Sequence, residues 1–170
     1  MRLHRIRSRQ TLPIDLVDAW DFFATPANLP AITPDWLDFT LTSELPPKLY
    51  EGLATTYTIR PFAGLRVQWL TVITAIREPG FFADEQRVGP YQTWHHQHLF
   101  RSVEGGTEAQ DIVHYALPFD PLSRPLHDLL IRPQLQRIFE YRYRSLAQRF
   151  GTMPGQSDEP PPGALVFSTV

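Results

Sequence analysis

Gly89-Pro90-Tyr91-Gln92-Thr93-Trp94-His95-His96-Gln97-His98-Leu99-Phe100 is the stretch whose reading decides the fold. Residues 94–100 hold three histidines and two large aromatics. Trp94, Leu99 and Phe100 favour a pleated surface and no strong helix former interrupts them, so the pattern predicts a strand. Alternate residues of a strand share a face. Trp94, His96, His98 and Phe100 therefore point one way, and His95, Gln97, Leu99 and Arg101 the other.

The next segment, Glu104-Gly105-Gly106-Thr107, is a tight-turn signal, because Gly-Gly tolerates the positive φ angles of a two-residue hairpin. With Gly105 and Gly106 as the loop, Phe100 faces Asp111, His98 faces Val113, His96 faces Tyr115 and Trp94 faces Leu117. The opposite face pairs His95 with Ala116, Gln97 with His114, Leu99 with Ile112 and Arg101 with Gln110. The first set is the more aromatic and is placed inward. An apolar wall results, with His96, His98, Asp111 and Tyr115 embedded in it as the candidate site.

Upstream, residues 81–88 form the preceding strand, and its register is open. A three-residue loop at Gly89-Pro90-Tyr91 turns Phe82, Asp84, Gln86 and Val88 inward. A two-residue loop turns Phe81, Ala83, Glu85 and Arg87 inward, since a one-residue slip swaps the faces. The first is preferred because it leaves Glu85 and Arg87 in water. Residues 36–43, 53–60 and 65–76 read as earlier strands, with turns at Pro61-Phe62-Ala63-Gly64 and Pro79-Gly80. Residues 2–11 alternate as a first strand whose Arg5, Arg7 and Arg9 face is solvated. Between these lies a helix beginning at Pro13, with Leu16, Val17, Trp20, Phe23 and Ala24 as its apolar stripe. A second short helix covers residues 26–32, and Thr33-Pro34 breaks it.

Downstream, residues 120–150 switch to helical periodicity. Leu122, Leu126, Leu129 and Leu130 open an apolar stripe, and Leu135, Ile138, Phe139, Leu146 and Phe150 continue it. Pro133 is expected to kink or split this helix, and Gly151 to end it. The predicted architecture is α+β: a curved antiparallel sheet of about seven strands gripping a long C-terminal helix, with two short helices after the first strand. The domain is placed at residues 1–151. Residues 152–170 are a Pro/Gly-rich tail, flexible over 152–163, whose apolar end Ala164-Leu165-Val166-Phe167 can dock onto this domain or a partner protein.

A chain of 170 residues can bury a real core, and 42% hydrophobic with 20% charged content is ordinary for a globular protein. A net charge of −2 gives no reason to expect a nucleic-acid or anionic-membrane partner. There is no cysteine, which removes disulfides and thiol catalysis. The first residues lack the apolar core of a signal peptide and no membrane-length apolar run exists, so a cytoplasmic location is expected.

Two sets of residues carry a resemblance. Ala27-Asn28-Leu29, Ile32-Thr33-Pro34, Trp36-Leu37 and Phe39 form one. Phe82, Asp84-Glu85-Gln86, Gly89-Pro90-Tyr91, Trp94, His96, His98 and Phe100, followed by Asp111, Val113 and Tyr115, form the other. Together they resemble the ligand-binding branch of the START-like (SRPBCC) superfamily, a branch also found fused to epimerase-like proteins described as cell-division inhibitors. The resemblance implies a helix-grip fold with a deep apolar cavity. It also implies ligands such as lipids, polyketides, quinones or hormones, and in some relatives a cyclase or dehydratase activity.

The polar cluster of His96, His98, Asp111, Tyr115, Asp84 and Gln86 then reads three ways. It is a self-satisfied hydrogen-bond network closing the cavity. Or it anchors a small hydrophobic ligand, with Trp94, Phe100, Phe82, Val113 and Trp69 lining the site. In the catalytic form of that reading His96 is the acid or base, Asp111 or Asp84 orients a histidine, and Tyr115 donates to a carbonyl oxygen. Or His96 and His98 are metal ligands with Asp84 or Asp111, although the His-x-His pair alone falls short of a ligand set and no metal is assigned on it. No cofactor motif, phosphate loop or nucleophile elbow is present, and no cofactor is expected. Trp20, Trp36 and Trp69 read as core or cavity lining, and His4, His95, His114 and His127 as solvated. Ligand binding is placed ahead of catalysis. The remaining alternative is an interaction module whose cavity is filled by its own side chains.

Overall fold

The structure is a computed structural model and describes residues 1–62 and 64–170. Strand β6 (Thr93–Val103) carries the histidine stretch, and its burial alternates as the pleat requires, with His96, His98 and Phe100 buried. It pairs antiparallel with β7 (Gly106–Ala116), setting Trp94 opposite Tyr115, His96 opposite Val113, His98 opposite Asp111 and Phe100 opposite Ala109. The expected partners are thus displaced by two residues. The loop is Glu104-Gly105 rather than Gly105-Gly106: Gly105 takes the positive φ of 79°, and Gly106 is the first residue of β7. Gly106 is held there because a Cβ at that position would stand 2.0 Å from the carbonyl oxygen of Leu12. A displacement of two keeps the parity of the pleat, so every residue stays on its expected face.

On its other side β6 pairs with β5 (Phe81–Val88), with Phe82 opposite His98 and Asp84 opposite His96. This is the register of the three-residue loop. Strands β3 (Ala54–Phe62) and β4 (Leu65–Arg77) extend the sheet, and register shifts along β4 against β5 bend it. The turn expected at 61–64 includes Ala63, which lies outside the described residues. The strand expected over 36–43 shrinks to β2 (Thr40–Leu41). Trp36 and Leu37 lie instead in a 3-10 turn, Asp35–Leu37, which ends where Asp38 enters the left-handed region. Trp36 is consequently exposed rather than core, with the Arg137 guanidinium 4.7 Å from its ring centre.

Strand β1 (His4–Leu12) lies beside β7, and the predicted tail returns as β8 (Leu165–Thr169) on the far edge of β1. The apolar end of residues 152–170 therefore docks onto this chain's own sheet. Among the described residues the sheet has eight strands in the order β2-β3-β4-β5-β6-β7-β1-β8.

After β1 come α1 (Leu16–Phe23) and a 3-10 helix at Pro26–Ile32. Ala19, Trp20, Phe22 and Ala24 bury α1 against the sheet, whereas Val17, expected in the stripe, is exposed. The C-terminal helix begins as a short turn, α2 (Arg124–Leu126), widens into a π-turn at His127–Ile131, and continues as α3 (Arg132–Phe150). Pro133 explains the interruption, since it has no N–H for the carbonyl four residues back. Ile131, Leu135 and Phe139 pack on Ile6, Val113 and Tyr115 of the sheet and on Leu117 just beyond β7. The leucine stripe expected upstream is not buried: Leu122 is 85% exposed, and Leu126, Leu129, Leu130 and Phe119 are exposed beside it. Among the described residues, no helix is long and apolar enough to cross a membrane.

Candidate functional site

The sheet and α3 enclose a cavity of about 490 Å³. Phe23, Leu29, Ile73, Leu135 and Ile138 supply aliphatic and aromatic lining, and Tyr57, Trp69, Tyr91 and Trp94 form an aromatic wall. Trp69 packs edge-on to Trp94 at 5.5 Å between ring centres and stacks on Tyr57 at 5.9 Å. Phe119 and Leu126 line the cavity and are also exposed, so they mark the side on which it meets solvent.

The polar floor comes from adjacent strands and the facing helix. Asp84 on β5, His96 and His98 on β6, and Arg142 on α3 all line the cavity. Asp111 on β7 sits behind the two imidazoles. Its Oδ1 lies 2.9 Å from His96 Nε2 and 2.9 Å from His98 Nδ1, and Arg142 Nη1 reaches both its oxygens at 3.5 Å. The His96 contact has hydrogen-bond geometry. The His98 Nδ1 contact is a charge contact off the hydrogen-bonding line, so that among the described residues this nitrogen has no hydrogen-bond partner. Asp84 Oδ2 stands 3.2 Å from His98 Nε2 and 3.9 Å from His96 Nδ1. Phe82 stacks on His98, with ring centres 4.1 Å apart.

These contacts separate the two histidines electrically. Burial works against a charged His98, but Asp111 and Asp84 outweigh it and its pKa is raised. His96 is pushed down by burial and by the neighbouring His98, more than Asp111 can restore. Burial alone would raise both carboxyls. Arg142 and the histidines instead hold Asp111 well below the ordinary carboxylate range, and His98 and His96 hold Asp84 down. One imidazole thus holds its proton to higher pH than its neighbour, 3.8 Å away between ring centres. Asp84, His96 and His98 also present ligand atoms within 4.8 Å of one another.

The structure divides the residues proposed from sequence. Trp69, Phe82, Asp84, Trp94, His96 and His98 meet at the cavity. Phe100 packs away from it, in a cluster with Trp20 and Phe82, and Val113 is fully buried in the core. Gln86 closes the β5–β6 loop: its Nε2 donates to the Tyr91 carbonyl at 2.7 Å, and its Oε1 accepts from the Tyr91 N–H at 3.3 Å. Tyr115 is fully buried with its hydroxyl 2.9 Å from His127 Nε2, so it is not the donor facing a ligand. His127 in turn meets Asp128 at 2.7 Å and stacks on His4 at 3.7 Å, which makes His4 and His127 buried rather than solvated.

Sequence reasoning missed Arg142 and Tyr57. Arg142 carries a legible signal: it falls three residues after Phe139 and seven after Leu135, a position on the apolar stripe of a helix. A charged residue on that stripe is buried or paired, and its partner is Asp111.

Solved structures with this architecture exist. A protein from Thermus thermophilus is 17% identical with a TM-score of 0.60, covering 86% of this chain and 96% of that one. Ara h 8.0201 is 18% identical with a TM-score of 0.56, covering 86% and 99%. A protein from Rhodobacter sphaeroides is 20% identical with a TM-score of 0.61, covering 85% and 91%. The fold is the helix-grip fold. No family model matches the chain, and no curated protein matches it. At these identities the likeness extends to the fold alone.

Proposed function

We propose that this protein binds a small hydrophobic molecule that carries one polar group. The observation that supports this reading is the cavity of about 490 Å³, apolar over most of its wall and polar at one end. That volume suits a compact organic ligand, and it speaks against a cavity filled by the chain's own side chains. The ligand's apolar body lies against Tyr57, Trp69 and Trp94, and its polar group meets His96, His98, Asp84 or Arg142. A second reading, acid–base chemistry of the cyclase or dehydratase kind, draws support from the hydrogen bond between His96 and Asp111 in the cavity wall. It proceeds without Tyr115.

Native mass spectrometry of gently purified protein, followed by denaturing extraction, identifies any bound compound. The companion variant is Ile138→Trp, which fills the space beside α3. It is expected to weaken binding of an apolar fluorescent probe at least ~10-fold while leaving the melting temperature within a few degrees. Unchanged probe affinity in a folded Ile138→Trp protein would sink the cavity-binding reading.

A further inference from the structure

The histidines of the floor are oriented in a way that ligand binding does not require. Each has one ring nitrogen turned to Asp111 and the other turned to Asp84. His96 Nε2 and His98 Nδ1 both lie 2.9 Å from Asp111 Oδ1. His96 Nδ1 and His98 Nε2 face Asp84 Oδ2 across 3.9 Å and 3.2 Å. Asp111 is held in turn by Arg142.

From this arrangement we infer a binding site for a divalent first-row transition ion, held by His96 Nδ1, His98 Nε2 and Asp84 Oδ2. Ligands about 2.1 Å from such an ion in tetrahedral array lie about 3.4 Å apart. The Asp84–His98 and Asp84–His96 separations bracket that value, and all three residues present ligand atoms within 4.8 Å of one another. A metal-bound imidazole ordinarily gives its far N–H to a carboxylate, which fixes the tautomer and strengthens the ligand. Asp111 stands in that position for His96, hydrogen-bonded to its Nε2 at 2.9 Å, and makes a charge contact with His98 Nδ1 at the same distance. His98 is more than nine-tenths buried, and its Nε2 is directed at Asp84 Oδ2. Asp84, His96 and His98 all line the cavity, so the remaining coordination positions face it. Two imidazoles and one carboxylate suit Zn²⁺, Fe²⁺ or Co²⁺, and not Ca²⁺ or Mg²⁺, which take oxygen ligands. The inference does not depend on the hydrophobic-ligand reading, because its three protein ligands are in place without an organic molecule.

The test uses the whole chain, stripped with a chelator. Co²⁺ is titrated by visible absorption and Zn²⁺ by calorimetry. One ion per chain is expected, with a rise in the melting temperature on Zn²⁺ addition. Asp84→Asn is expected to lower affinity at least ~10-fold, and Asp111→Asn about 10–100-fold although it touches no ion. His95 and His114 are cross-strand neighbours on the opposite face and form the competing site. The double variant His95→Gln/His114→Gln should therefore bind as the parent does. Binding below one ion per chain with no thermal shift in the parent overturns the inference, whatever the variants do. So does unchanged affinity in a folded Asp84→Asn protein, or loss of binding in the His95/His114 variant.

Discussion

His4 and Arg142 show how far single residues could be read. His4 does not stand out in its own neighbourhood of sequence, Arg142 does so only as a charge on an apolar stripe, and both are fixed by partners more than thirty residues away. Arg142 sits on α3 and meets Asp111 on β7, so only the third dimension joins them. The alternation of β6, by contrast, is a local property, and it placed His96 and His98 on the inner face correctly. His4 is buried against His127, and burial first, then His127 and Arg2, lowers its pKa from 6.5 to about 4. The unfolded chain therefore takes up a proton between those two values that the folded chain refuses. Stability from this group is complete above about pH 6.5 and is lost as the pH falls toward 4. We expect the urea midpoint to fall over that window, and to fall less in His4→Phe, which keeps an aromatic ring against His127. Equal falls in the two proteins would show that His4 is not the group responsible.

At the scale of elements, the sequence revealed most where a period was sustained. The faces of β5 and β6, the 3-10 helix at Pro26–Ile32 and the interruption near Pro133 were all legible. The β6–β7 turn was misplaced by one residue because two adjacent glycines can each take a positive φ. What decides between them is the backbone of β1, which passes against Gly106 and is invisible to local pattern. The exposed leucines of residues 122–130 were misread for a related reason: helical spacing shows that apolar residues share a side, not that anything covers it. The two glycines are expected to behave differently. Gly105→Ala pays for a left-handed backbone, about 1 kcal/mol, and meets only the flexible end of Met153. Gly106→Ala drives a Cβ into the Leu12 carbonyl and should cost about 3 kcal/mol. Urea denaturation of both variants checks this, and a Gly106→Ala loss no larger than that of Gly105→Ala would refute the explanation of the register.

For the molecule as a whole, the fold class followed from the order of elements, but the sheet's outer limit did not. Residues 152–163 contain prolines and turn formers, which argued for a free tail, yet the chain comes back to place β8 on β1. Leu165 and Phe167 pack against the cluster of Ile6, Tyr115 and Leu135. Deleting residues 164–170 should cost about 3 kcal/mol in buried apolar surface and bare the hydrogen-bonding edge of β1. Light scattering is expected to show self-association of the truncated protein, and a truncated protein that stays monomeric at parent stability would contradict the role given to β8.

The position of β1 in the sheet bears on how the protein is made. Its neighbours are β7 and β8, so β1 leaves the ribosome well before either strand it pairs with. At ~5–20 residues per second, translation from Leu12 to Gly106 leaves β1 without either partner for roughly 5–20 s. During that interval the nascent chain carries Ile6 and Leu12, both fully buried in the finished protein, with no sheet to cover them. The long-range pairing of β1 with β7 is then formed late, at the loop-closure cost that slows non-local topologies. Chaperone capture of this chain during synthesis should accordingly concentrate on His4–Leu12.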